Sequence, residues 1–140
     1  MSSDAGKDLS FGVISFYKAQ ADSIREQLKK QIGGIDDKKL RVGTVDSFQG
    51  MEFDVVFLSM VLTLPQDWKP KDNDRERQAR GLFGHLCLYN RLNVSMSRQK
   101  KLLVVVGDAG SLENQLAADF VPGLVDFLQL CRSDGVMLPC

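Results

Sequence analysis

Apolar and polar positions along this chain fall into blocks whose period changes from one block to the next. Phe11 to Phe16 (FGVISF) is a short apolar run with β-branched residues, as expected of a strand buried on both faces. In the next block Ala21, Ile24, Leu28 and Ile32 recur at helical spacing, and Lys18, Asp22, Arg25 and Lys29 line the other side. This predicts a helix over 18–32, stopped by Gly33-Gly34. Leu40 to Val45 (LRVGTV) predicts a second strand, and Phe53 to Leu62 (FDVVFLSMVL) a third, the most apolar of the set. Tyr89 to Arg98 (YNRLNVSMSR) predicts a helix, and Leu102 to Val106 a fourth strand that ends at Gly107-Asp108. Ser111 to Phe120 and Pro122 to Cys131 predict two closing helices, with Pro122 at the start of the second.

Pro65 to Arg80 breaks the pattern, with two prolines, many charges and few apolar residues. It is expected to be a long irregular loop ending at most in a short helix, and loops of that length are usually functional or disordered. Met1 to Ser10 is polar and is expected to be a flexible or vector-derived lead, which leaves 11–140 as one domain. Apolar strands alternating with helices predict an α/β fold, a mostly parallel sheet covered on both faces in three layers, α/β/α. Ligands of such sheets bind outside the carboxyl ends of the strands. That singles out 17–20, 46–52, the segment from Thr63 onward, and Gly107-Asp108.

Composition narrows the chemistry. In 140 residues, Lys plus Arg and Asp plus Glu both number 18, so the net charge is zero. A neutral chain does not capture nucleic acid by bulk attraction, although a local basic cleft remains open. Cys87, Cys131 and Cys140 are odd in number and lack metal-ligand spacing, which predicts a reduced compartment: the cytoplasm, or the nucleus of a eukaryote. The longest uncharged apolar run, Val55 to Pro65, is too short to span a bilayer, and Met1 to Ser10 does not resemble a signal peptide. His85 is the sole histidine, so no metal site is expected, and any Ser/His/Asp or Cys/His nucleophile would have to use it. Neither GxxxxGKS/T nor GxGxxG occurs, so the usual equipment for cradling a triphosphate is missing from this sequence.

Two stretches carry more polarity than a core needs. In Val42 to Leu58 (VGTVDSFQGMEFDVVFL), a strand runs into Asp46, Ser47, Gln49 and Glu52 around Gly50, then into another buried strand. Gly50 permits a tight turn or a positive φ. The reading places Gln49 and Glu52 at the mouth of the sheet, where a carboxylate can accept a sugar hydroxyl or hold a magnesium-bound water. Asp46 and Ser47 could instead simply cap the turn. In Tyr89 to Lys101, helical spacing puts Arg91, Ser95 and Arg98 on one polar stripe, with Leu92 and Met96 turned into the core. Paired guanidinium groups suit phosphate, and surface ion pairing is the plainer alternative. Lys100-Lys101 reads as a helix C-terminal cap or a solvated pair. Tyr17 and Gln20, just after the first strand, offer stacking and an amide.

The segments FGVISFYKAQ, VGTVDSFQGMEFDVVFLS and YNRLNVSMSRQKKLLVVVGD resemble motifs IV, V and VI of superfamily 1 helicases, in that order and at compatible spacing. The closest resemblance is to the group that contains the nonsense-mediated-decay helicase and senataxin, over about Phe11 to Asp108. Members of that family carry two RecA-like lobes, and this chain resembles the second. The resemblance therefore implies a RecA-like domain that shares ATP and Mg2+ with a first lobe and works along single-stranded DNA or RNA. It makes Arg98 the arginine finger that reaches the γ-phosphate, with Arg91 supporting the cleft or the phosphates. Glu52, with Gln49 and Gly50, falls where the family contacts the nucleotide sugar or metal region. Thr44, Asp46 and Ser47 fall where it couples ATP state to the nucleic-acid backbone, and Tyr17, Lys18 and Gln20 belong to motif IV. Three departures are mild: Phe16 for the usual proline, Ser95-Met96-Ser97 for alanine–leucine–threonine, and Gln99 for the alanine after the finger.

The implied function is the second motor lobe of an ATP-dependent helicase or translocase, an enzyme only as part of a larger protein and inactive without its first lobe. One alternative is a retired RecA-like lobe that binds nucleic acid or protein without catalysis. Another is a receiver-like regulatory domain using Asp54 or Asp108, although Phe16-Tyr17 stands where an acidic pair would follow the first strand.

Overall fold

The computed structural model describes residues 9–33, 39–60, 75–83 and 95–138. The chain divides into two compact units, residues 1–60 with 93–106, and residues 61–92 with 107–140.

The first unit is built on four parallel strands: β1 (Phe11–Ser15), β2 (Leu40–Thr44), β3 (Phe53–Ser59) and β4 (Gln99–Val106). Their spatial order is β2-β1-β3-β4. The α/β fold with a parallel sheet is therefore as expected, and it is consistent with a RecA-like lobe. Helix α1 (Lys18–Ile32) has the bounds its periodicity predicts. Gly33 closes it in the left-handed conformation (φ 77°), donating its amide to the Lys29 carbonyl.

Successive strand residues point to opposite faces, so the register defines two surfaces. Gly12 and Ile14 of β1 pair with Val56 and Leu58 of β3, and all four are buried on one face. Phe48, fully buried, lies on that face over Gly12 and Gly43, at the end of a 3-10 turn over Val45–Phe48. Ser15 and Ser59 belong to the opposite face, where Gln20 in the first turn of α1 reaches both. Connections leave β1 in one direction and return past it in the other, and right-handed crossovers then require opposite faces.

β4 begins three residues earlier than its apolar run suggests. Phe53 pairs with Gln99 and Val55 with Leu102, so Asp54 alone stands opposite Lys100 and Lys101. This is a β-bulge, which is uncommon in parallel pairs. Lys100 and Lys101 therefore belong to a strand and do not cap a helix. Leu102 and Val106 of β4 are about half exposed.

In the second unit, α2 (Arg75–Phe83) falls partly inside the stretch expected to be irregular. Ala79 and Phe83, four apart and so on one face of α2, are both fully buried, and that burial outweighs the charge around them. The expected single helix over 111–120 is instead a 3-10 turn (Ala109–Leu112) followed by α3 (Gln115–Phe120). Asn114 interrupts it, its side chain accepting from the Ala117 amide at 2.8 Å as an N-cap. α4 (Pro122–Ser133) starts at Pro122 as expected. Leu116, Ala117, Val121 and Leu124 form the buried seam of α3 and α4. Among the described residues, no helix is long and apolar enough to cross a membrane.

Candidate functional site

The amino ends of β3 and β4 bring together residues from two of the motifs. The Phe53 amide donates to the Arg98 carbonyl at 2.9 Å, which captures residue 98 just before β4. Among the described residues of this stretch, Ser95 and Met96 are helical, and Ser97 and Arg98 are not. Arg98 therefore does not share a helical stripe with Ser95, which is fully buried, because sheet pairing has drawn the chain out of the helix. Arg91 and Leu92 lie outside the described residues.

The half-buried Arg98 side chain turns back toward motif V. Its Nη1 donates to the Met51 carbonyl at 3.4 Å and its Nη2 to Ser97 Oγ at 3.2 Å. Gln49, Gly50 and Glu52 are exposed on either side of Met51. Gly50 has φ 73° with nothing within 4 Å of a Cβ placed on it, so backbone conformation and not space demands glycine there.

This edge is not where the carboxyl-end rule puts a ligand. Gln49 and Glu52 precede β3, whereas the carboxyl edge is the row Thr44–Ser15–Ser59. Residues 45–52 run between the two edges, about 20 Å apart at ~3.3 Å per strand residue. At the carboxyl edge, Ser47 Oγ donates to the Thr44 carbonyl at 2.7 Å, so Ser47 ties the turn, and Asp46 is exposed in it. Arg41 braces the turn from β2, its guanidinium 5.9 Å from the Phe48 ring centre. Beside it, Ser15 Oγ donates to Gln20 Oε1 (2.6 Å) and Gln20 Nε2 donates to Ser59 Oγ (2.8 Å). Tyr17 is exposed at this edge, and its amide donates to Ser15 Oγ at 3.2 Å.

One pair escapes sequence reasoning. Ser10 donates its amide (2.9 Å) and hydroxyl (3.1 Å) to Asp54 Oδ2, and the Asp54 amide donates to Ser10 Oγ (3.0 Å). The Ser10 carbonyl also accepts from Val55 at 3.0 Å. Ser10 thus belongs to the fold and not to a flexible lead. The available signal was an aspartate inside an apolar strand, since a carboxylate there needs a partner. The Ser10 amide, chiefly, holds the Asp54 carboxyl below its ordinary range against the opposing desolvation, helped by the Ser10 hydroxyl and by Lys101 and Lys100.

The receiver-like reading does not fit these positions. Asp54 is at the amino end of β3, bound to Ser10, and Asp108 accepts from the Gly110 amide at 2.9 Å as a turn cap. Among the described residues, no three His, Cys, Asp or Glu side chains come together as metal ligands.

Comparison with known proteins assigns this arrangement a lineage. The AAA domain family matches residues 1–110, which include both edges. The human RNA helicase Mov10l1 is 34% identical over 129 residues, 92% of this chain and 9% of that protein. Human helicase senataxin is 36% identical over 118 residues, 80% of this chain and 4% of that protein. The DNA polymerase alpha-associated DNA helicase A of Saccharomyces cerevisiae is 35% identical over 104 residues, 74% of this chain and 13% of that protein. The chain spans a small part, 4–13%, of the curated relatives it matches.

Proposed function

We propose that this chain, which belongs to the AAA domain family forming the C-terminal lobe of superfamily 1 helicases, is the second motor lobe of an ATP-dependent helicase or translocase. The observation that carries the reading is the shared edge. Arg98 of one motif bonds to the backbone of Met51 in another, beside Gln49, Gly50 and Glu52.

The donor set fits half of a nucleotide site. A guanidinium suits a terminal phosphate, while a single carboxylate, Glu52, suits a sugar hydroxyl or one metal-bound water. The remaining ligands for ATP and Mg2+ would come from a first lobe. In this reading Arg98 is the finger that stabilises charge developing on the transferred phosphoryl group. Arg91 supports the phosphates, and Gln49, Gly50 and Glu52 meet the sugar and metal region. With ATP and magnesium held between the lobes, binding would close them, and hydrolysis, which passes the γ-phosphoryl group to water, would let them open.

Thr44, Asp46 and Ser47 are assigned to the strand-coupling role. Support comes from position, because they begin the segment that ends at Glu52. A change in the nucleotide edge is transmitted along 45–52 toward a single strand of DNA or RNA. The relatives' names include both an RNA helicase and a DNA helicase, so either nucleic acid is a candidate.

The test uses the complete helicase that carries this lobe, assayed for ATP turnover with and without single-stranded DNA and RNA. Strand-stimulated turnover that falls ~10³-fold or more in Arg98→Ala is expected. An intact protein that turns over no ATP would shift the reading to a retired lobe used only for binding.

A further inference from the structure

The backbone bond from Phe53 to Arg98 needs something to hold the amino end of β3 in place. Three features meet at the next residue. Asp54 bonds Ser10, just before β1, through three hydrogen bonds of 2.9–3.1 Å. Val55 adds a fourth link to the Ser10 carbonyl. On its other side Asp54 stands opposite Lys100 and Lys101, the two residues that β4 spends against one of β3. Such bulges re-aim the chain beside functional sites. Here the bulge begins two residues after Arg98.

We propose that Asp54 is a positioning residue for Arg98. By locking Ser10 on one side and facing the Lys100–Lys101 bulge on the other, it fixes the amino ends of β1, β3 and β4. It thereby sets the point at which Arg98 leaves the sheet. The inference rests on the reading of Arg98 as the finger. Asp54 itself touches neither nucleotide nor strand in this scheme. It acts through Phe53, whose amide holds the Arg98 carbonyl, and through the bulge, which sets the direction of the chain beyond Arg98.

The physical requirement is one of tolerance. A guanidinium that serves a transition state must be placed to within a fraction of an ångström, and a misplacement of ~1 Å can cost ~100-fold in rate. Removing the Asp54 carboxylate frees the lead-in to β1. The β3–β4 pair then loses the acidic residue that stands opposite the bulge.

Steady-state ATP turnover of the complete helicase, with saturating single strand, is the measurement. Asp54→Ala should lower kcat roughly 10- to 100-fold while KM for ATP and strand affinity stay within about twofold, because ground-state binding is not touched. Asp54→Asn keeps an acceptor for Ser10 and should retain more activity than Asp54→Ala. Ser10→Ala should fall between wild type and Asp54→Ala, and it serves as the readable variant if Asp54→Ala fails to fold. On an Arg98→Ala background, Asp54→Ala should cost nothing further, since the two act as one unit. Wild-type kcat in both Asp54→Ala and Ser10→Ala would overturn the proposal, as would a loss that multiplies with Arg98→Ala or runs parallel with lost strand binding. The finger reading fails separately, if Arg98→Ala itself turns over ATP normally, and the positioning role then falls with it.

Discussion

A methyl group placed on Gly12 would stand 2.9 Å from Cε1 of Phe48. The ring has nowhere to retreat, because Phe48 is fully buried and packs against Phe53 with ring centres 5.4 Å apart. Glycine at position 12 lets the return crossover lie flat on the sheet. Gly12→Ala should therefore destabilise the chain by ~1–3 kcal/mol, the usual cost of overpacking, measured by urea unfolding. An unchanged midpoint would mean that the 3-10 turn can lift off β1.

Gly50 makes the opposite case. Its surroundings are open and its φ of 73° is the constraint. Gly50→Ala should cost ~1 kcal/mol from backbone strain alone. The loss should be smaller than that of Gly12→Ala in the same unfolding series.

The acid limb of stability should report on Asp54. Ser10 keeps its carboxyl below the ordinary range, so the folded chain binds fewer protons there than the unfolded chain does. The resulting stabilisation is complete above the ordinary aspartate value of ~3.9 and is lost as pH falls through the lower folded value. In thermal melts, wild type should exceed Asp54→Asn near neutral pH, and the gap should close well below that ordinary value. A gap of constant size down the acid limb would contradict this.

Gln20 joins three elements through one amide. Gln20→Ala would leave the Ser15 hydroxyl, 1% exposed, without its acceptor. A loss of ~1–3 kcal/mol in chemical denaturation is expected, as for a buried group left unsatisfied. Gln20→Glu should be milder, because a carboxylate can accept from both Ser15 and Ser59.

By itself, the 140-residue chain should turn over no ATP, since its sequence has no phosphate loop to pair with Arg98. It should hold single strands weakly, with affinity that drops steeply with salt. Turnover by purified chain that disappears in Arg98→Ala would refute the shared-site reading. Tight, salt-resistant strand binding would do the same for the half-track.

Most local signals were legible in the sequence, although the Asn114 cap that splits 111–120 was not. The period of Ala21, Ile24, Leu28 and Ile32 gave α1 its bounds, and apolar runs located all four strands. Gly50 was readable as a positive φ because turn chemistry depends on near neighbours. Non-local contacts were not legible. Arg98 looked helical because its side chain falls at position i+7 from Arg91, yet the deciding bond comes from Phe53. Lys100 and Lys101 read as a helix cap or a solvated pair; both are exposed, but in β4 and not at a helix end. Ser10 looked like lead sequence because its partner, Asp54, is 44 positions away. Glu52 directly precedes the strand predicted from Phe53, so its amino edge in a parallel sheet was readable, and the carboxyl-end rule holds only for the start of 46–52. The roles attached to Thr44, Gln49, Glu52 and Arg98 came from motif resemblance, and geometry adds their grouping.

The bond between Phe53 and Arg98 also sets how the chain between β3 and β4 can vary. Pairing these strands closes a loop over residues 60–98. The entropy of such closure grows only with the logarithm of length, so doubling the loop costs about 0.6 kcal/mol. One buried side chain offsets that several times over. Because the sheet, and not the length of the approach, decides where residue 98 arrives, long inserts between the two strands are thermodynamically cheap. The connection between β3 and β4 is therefore where proteins built on this lobe can differ in length while the arginine keeps its address.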